Sequence, residues 1–129
     1  MIKDLIPLIG DSWKSLDSQI DGERYPDSMW ASSCPDNDSS ITYVISKDYK
    51  RFKSTIGMDD FSRKIYPTYF IVTGDGKEIY RKEITSGPPS MIDISVSGIV
   101  RFTLHISISS YYTDCDETRV VWANARLEK

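Results

Sequence analysis

The sequence predicts an all-β domain whose antiparallel strands pack face to face as a β-sandwich. After residue 40, about seven short runs rich in β-branched and aromatic residues follow one another, with turn-forming residues between them. No stretch shows a convincing 3.6-residue apolar period, so helices are not expected between these runs. Short strands at such close spacing are typical of a sandwich.

A hairpin and a one-sided strand are the clearest of these elements. Residues 68–73 and 78–84 are predicted to pair, because Gly74-Asp-Gly-Lys77 tolerates the positive φ values of a tight turn. Residues 99–108 alternate between apolar and polar side chains, which indicates a strand with one face toward water. Gly57 marks a bulge or a close backbone approach. The remaining predicted strands are 41–45, 52–58, 91–96 and 120–127.

The N-terminal part is predicted to be irregular. Asp, Ser, Gly and Pro interrupt it, and its apolar residues are scattered. Residues 17–24 are polar enough for an exposed loop, and residues 34–40 are a second turn-rich stretch. The expected organisation is one domain over 1–129, with an irregular part at 1–40 and core strands at 41–127.

Size and charge agree with one globular domain that does not bind nucleic acid. The chain has 129 residues, of which 40% are hydrophobic and 27% are charged. Its net charge is -3, and its most basic run is Lys50-Arg51 with Lys53. Nucleic acid requires a basic face that neutralises phosphates, so no nucleic-acid partner is expected.

The sequence predicts no membrane span, because no apolar run approaches the ~20 residues that a membrane helix needs. Residues 1–10 lack the long apolar region and the cleavage site of a signal peptide. Two locations stay open. The protein is cytoplasmic if the chain is complete, and extracellular or at the cell surface if it is a module of an exported protein.

Catalytic motifs are not found in the sequence. There is no Gly-x-Ser-x-Gly, no Walker loop and no His-Glu-x-x-His. The single histidine, His105, lies on the water-facing side of its predicted strand and is interpreted as a surface residue. Two cysteines and one histidine do not make a zinc site. We therefore expect a domain that binds, not an enzyme.

Five segments carry motifs in a recognisable order. They are residues 49–60, ending in Gly-Met-Asp-Asp; the hairpin at 70–80; Ile-Asp-Ile-Ser-Val-Ser-Gly at 92–98; Phe-Thr-Leu at 102–104; and Trp-Ala-Asn-Ala-Arg-Leu at 122–127. In this order and spacing they resemble the NPCBM family of carbohydrate-binding modules. The resemblance implies a β-sandwich of jelly-roll type that binds carbohydrate and is appended to a larger protein, often a glycoside hydrolase.

The predicted ligand contacts lie mainly in two segments, 28–33 and 109–119, which we call the loop end of the sandwich. Sugars are bound by aromatic faces that stack on C–H patches, while carboxylates, amides and Arg fix the hydroxyls. The alternative is that these aromatics cap the core, where Trp122 is also expected. The candidate contacts are Trp30, Ser32, Tyr111, Tyr112, Asp116, Glu117, Arg119 and Asn124.

Two further sites are weaker predictions. Some relatives of this fold hold a structural calcium, and Asp59 and Asp60 are its candidate ligands here, since hard cations prefer carboxylate oxygens. A simple polar turn is the alternative that we favour for them. The resemblance also places the segments containing Cys34 and Cys115 near each other, which makes them a candidate disulfide. Two free thiols are the alternative.

The loop end departs from the family pattern. Residues 28–33 lack the glycines and the histidine of the family, and residues 109–117 replace its acidic, glycine-rich loop. Two functions are therefore carried forward. The first is a non-catalytic carbohydrate-binding module that recognises a glycan at the loop end. The second is a protein-interaction or sensory module on the same scaffold, with the sugar site lost and a protein as its partner.

Overall fold

A computed structural model describes residues 9–10, 14–31, 38–62, 67–85, 87–108 and 119–129. These ranges form two five-stranded antiparallel sheets, with the orders β1-β4-β9-β6-β7 and β2-β3-β10-β5-β8. Within the same ranges, no helix is long and apolar enough to cross a membrane. The strands are β1 (Ile9–Gly10), β2 (Lys14–Ile20), β3 (Glu23–Ala31), β4 (Asp38–Val44), β5 (Arg51–Met58), β6 (Thr68–Gly74), β7 (Lys77–Ile84), β8 (Ser90–Ser95), β9 (Arg101–Ile108) and β10 (Val120–Glu128).

The all-β sandwich prediction is confirmed, because the two sheets face each other across one aromatic core. The rings of Phe52 and Phe102, on opposite sheets, lie 4.9 Å apart between centroids. Phe70 packs edge-on against Trp122 at 5.1 Å, so rings from both sheets interlock. Each such pair contributes about 0.5–1.5 kcal/mol beyond the area that it buries. Trp122 is fully buried, as the sequence predicted.

The strand register places the loop end at one end of the second sheet. Val120 lies opposite Ala31 on one side and Met58 on the other. The chain therefore leaves β3 and β5, and enters β10, at this end. Residues 59–62, which follow β5, lie beside Arg119 there.

The prediction of irregular structure over residues 1–40 is wrong for the described residues. β2 and β3 pair as a hairpin, and β3 also pairs with β10. The pattern was hidden because a register shift between Leu16 and Ser18 breaks the alternation. Pro26 lies in the part of β3 beyond its ladder with β10, where a missing N–H is tolerated.

The β2–β3 hairpin covers the outer face of the second sheet. Val121 and Ala123 point away from the aromatic core and form a second buried cluster with Ile20, near the hairpin tip. A Cβ at Gly57 would lie only 2.8 Å from Cγ2 of Ile20, so the predicted close approach at Gly57 is confirmed. The hairpin therefore lies across β10 and β5 and makes β10 buried on both faces.

Asp60 ties the hairpin tip to the loop end. Its carboxylate accepts hydrogen bonds from the N–H groups of Asp21 at 2.8 Å and Gly22 at 2.9 Å. Its own N–H donates to the carbonyl of Gln19 at 2.7 Å. Asp21 and Gly22 both have positive φ, 49° and 83°, which is the geometry of a type I′ hairpin turn. The predicted hairpin between β6 and β7 has the same Asp-Gly turn at residues 75–76.

A bulge interrupts β10 after Ala123. Ala123 is opposite Thr55 and Arg126 is opposite Lys53, so two residues of β10 face the single residue between those partners. Asn124 has a φ of 51° and is exposed, while Ala125 is buried. Asn tolerates this left-handed conformation better than other non-glycine residues.

The contact between Gly57 and Ile20 predicts a steric coupling. Gly57→Ala is expected to destabilise the domain by about 1–3 kcal/mol, because the new methyl group overpacks the hairpin against the sheet. In an Ile20→Ala background, the same substitution is expected to cost much less. Urea unfolding of the four proteins measures the coupling. An equal loss in both backgrounds would contradict the contact.

The bulge predicts an unusual order of stability at position 124. Asn124→Ala is expected to lose about 1 kcal/mol, since Ala is strained at positive φ, whereas Asn124→Gly should stay close to the wild type. Midpoints of chemical denaturation compare the variants. If the Ala variant is at least as stable as the Gly variant, the left-handed bulge is not present.

Candidate functional site

The described part of the loop end is a tight turn over residues 59–62. The carboxylate of Asp59, which is buried, accepts a hydrogen bond from the N–H of Phe61 at 2.7 Å. The N–H of Ser62 donates to the carbonyl of Asp59 at 3.0 Å. An Asp side chain that bonds the backbone two residues later is a standard way to stabilise a turn.

Arg119 is held by this turn through its backbone. The N–H of Asp59 donates to the Arg119 carbonyl at 2.9 Å, and the N–H of Arg119 donates to Oγ of Ser62 at 2.9 Å. Of the ligand contacts predicted at the loop end, Arg119 is the one whose side chain the structure describes, and it is half-buried. The turn and the start of β10 are therefore one fixed unit.

Phe61 projects from this fixed turn into solvent. Its side chain is 68% exposed, although the backbone around it is hydrogen-bonded to Asp59 and, through Asp60, to the hairpin. Sequence reasoning missed it because Asp59-Asp60-Phe61-Ser62 was interpreted as a polar turn. The signal was a large aromatic between polar turn residues. An exposed ring on a rigid backbone is an aromatic platform for a ligand.

The two candidate calcium ligands have hydrogen-bonding roles in the described structure. Asp59 bonds within its own turn, and Asp60 bonds the hairpin tip. Calcium takes six to eight oxygen ligands. Over the described ranges, no three His, Cys, Asp or Glu residues are grouped to hold a metal ion. The polar-turn interpretation accounts for both carboxylates, and calcium binding stays a prediction.

Asn124 lies apart from the loop end, beside a shallow depression. The depression has a volume of about 230 Å³ and is lined by Tyr25, Pro26, Asp27 and Asn124. At ~3.3 Å per residue of strand, Asn124 is roughly 16 Å along the chain from Arg119. The structure therefore does not bring these two predicted contacts together.

Tyr25 joins the depression to the outer cluster. Its ring packs against the cluster of Ile20, Val121 and Ala123, and its hydroxyl donates to Oε2 of Glu23 at 3.2 Å. Burial, with the hydrogen bond and negative charge of Glu23, raises the pKa of the Tyr25 phenol. The hydroxyl thus stays protonated and able to donate at neutral pH.

Several predicted contacts cannot be compared with the structure. Trp30 belongs to β3, with its backbone opposite Val121 and Lys14, but its side chain lies outside the described part. His105 is half-buried on β9. The predicted contacts outside the described residues are Ser32, Tyr111, Tyr112, Asp116 and Glu117, as is the candidate disulfide of Cys34 and Cys115.

The fold is shared with solved carbohydrate-binding modules of the CBM51 type. The CBM51 of Clostridium perfringens GH95, solved in complex with methyl-galactose, superposes with a TM-score of 0.77 over 98% of this chain and 97% of that one, at 13% identity. CBM51-2 of C. perfringens ZmpB, solved with GlcNAc and INT domains, gives a TM-score of 0.78 at 16% identity, covering 98% of this chain and 30% of that one. At these identities the similarity shows the β-sandwich fold.

Sequence comparison agrees with the motifs. A Renibacterium salmoninarum protein named "Putative endo-alpha-N-acetylgalactosaminidase" is 27% identical over 111 residues. The match covers 84% of this chain and only 7% of that protein. The family model of the NPCBM/NEW2 domain matches residues 19–128. This match confirms the resemblance found in the motifs, and the chain belongs to the NPCBM/NEW2 domain family.

Proposed function

We propose that this domain is a non-catalytic carbohydrate-binding module that recognises a glycan at its loop end. The observation that carries the proposal is the end-to-end match with a CBM51 module solved with methyl-galactose, which covers 98% of this chain and 97% of that one. The correspondence is thus between one module and one module. Membership of the NPCBM/NEW2 family over residues 19–128 supports it.

Surface recognition fits the way in which the sandwich is filled. Phe52, Phe70, Phe102 and Trp122 occupy the space between the sheets and are buried. A glycan would therefore bind on the outside of the scaffold, in a shallow contact. Such a contact suits retention of a polymer more than cleavage of it, because cleavage needs two carboxyl groups placed across a cleft.

Phe61 is the described residue best placed to contact the sugar. Its exposed ring can stack on the C–H face of a pyranose such as galactose. The hydrogen bonds of Asp59 and Asp60 hold the turn before the ligand arrives, so little backbone order is lost on binding. Arg119, held by the same turn, brings a planar donor group to this end.

We also propose that the domain acts as an attachment of a larger protein. The chain spans 7% of the length of its Renibacterium relative. It also matches, at 20% identity and a TM-score of 0.78, 15% of a C. perfringens ZmpB structure that contains an M60 catalytic domain with CBM51-1 and CBM51-2. A module in such a chain raises the local concentration of its neighbour at a glycan surface.

The function predicts binding on a broad glycan array. The purified domain is expected to retain glycans with terminal galactose or N-acetylhexosamine, because relatives of the same fold were solved with methyl-galactose and GlcNAc. The array is run with calcium and with a chelator. Silence across the array in both conditions would contradict sugar binding and favour the protein-interaction alternative.

Phe61→Ala is expected to weaken the binding of an array-selected glycan by about 2- to 12-fold, the equivalent of losing ~0.5–1.5 kcal/mol of ring stacking. Phe61→Trp should retain binding, whereas Phe61→Leu should not restore it. Titration calorimetry measures the dissociation constants. Val44→Ala, an exposed apolar position on β4, is the matched control and should bind like the wild type. Unchanged affinity in Phe61→Ala would remove this residue from the site.

A further inference from the structure

The bulge in β10 turns an amide outward that a regular strand would direct into the core. Val120 and Trp122 face the aromatic core, so strict alternation would place residue 124 there too. The extra residue instead gives Ala125 the inward position and leaves Asn124 exposed. A bulge that re-aims a side chain in this way is a common feature of binding sites.

The β2–β3 hairpin supplies the opposite wall of the depression beside Asn124. Oγ of Ser28 donates to the carbonyl of Tyr25 at 2.8 Å, which holds the local course of β3. Tyr25, Pro26 and Asp27 then line the same depression as Asn124. Because Tyr25 also packs on the buried outer cluster, its ring is anchored on the sheet.

The chemistry of this lining matches one class of ligand. The Tyr25 ring and Pro26 supply an apolar wall, the Asp27 carboxylate accepts hydrogen bonds, and the Asn124 amide both donates and accepts. Vicinal hydroxyls on a ring satisfy such a set, and a carboxylate acceptor strengthens these bonds. The carboxylates of Asp27 and Glu23 would repel a phosphate or another anion.

We propose that this depression is a second glycan subsite, which holds one neutral pyranose ring and is separate from the loop end. The choice of a sugar as ligand rests on the proposed function. The Tyr25 and Pro26 wall contacts the ring, while Asp27 and Asn124 bond its hydroxyls. Two subsites on one rigid module favour glycans presented at high density, since the second contact forms at high effective concentration.

The test is a ¹H–¹⁵N NMR titration with the monosaccharide selected by the array, starting with methyl-galactose. Two groups of amide shifts are expected, one at residues 59–62 and 119, and one at residues 23–28 and 123–126. Asn124→Gly keeps the positive φ of the bulge but removes the amide. It should abolish the second group, or weaken its affinity about tenfold, while the first group is unchanged.

Further variants separate the two subsites. Phe61→Ala should do the converse of Asn124→Gly, and Asp27→Asn should weaken only the depression. Glu83→Gln, an exposed carboxylate on β7 of the other sheet, is the control and should leave both groups unchanged. The denaturation midpoint of each variant checks that it is folded.

The outcomes distinguish this inference from the proposed function. Wild-type shifts confined to the loop end would overturn the second subsite and leave the module function intact. Shifts at the depression that are equally strong in Asn124→Gly and Asp27→Asn would also overturn it, because its assigned contacts would then not bind. No shift anywhere, together with a silent array, would overturn both.

Discussion

Strand β10 has to be buried on both faces, and much of the structure follows from this constraint. It is the central strand of the second sheet, with Trp122 in the aromatic core and Val121 and Ala123 on the outer side. Two apolar faces cannot be covered by one partner sheet. The β2–β3 hairpin covers the outer face, with Ile20 seated against Gly57, where a side chain would collide.

Covering β10 also creates the surfaces that a ligand can use. Asp60 holds the hairpin tip with two backbone hydrogen bonds, and this same residue belongs to the turn that presents Phe61. The depression beside Asn124 lies where the hairpin meets the β10 bulge. Both candidate contacts are thus borders of the same packing arrangement, which keeps them rigid without a metal ion or a deep cavity of their own.

Sequence reasoning succeeded where the signal is local. The Gly74–Lys77 turn, the alternation of residues 99–108 and the core position of Trp122 depend on neighbours in the chain, and each was found. The β2–β3 hairpin was missed although Asp21-Gly22 is a strong local turn signal. Its strands are polar and irregular in alternation, and one of them pairs with β10, about ninety residues later in the chain.

By itself, the sequence determined the fold class, the family motifs and the side chains that fill the core, because alternation and turn chemistry are written into short stretches. Only the tertiary structure decided that Asp60 serves the hairpin, that Phe61 is exposed on a fixed turn, and that Asn124 and Arg119 are separate. These outcomes depend on one extra residue in β10 and on a hairpin laid over it. Contacts between distant segments, which no local pattern encodes, set both.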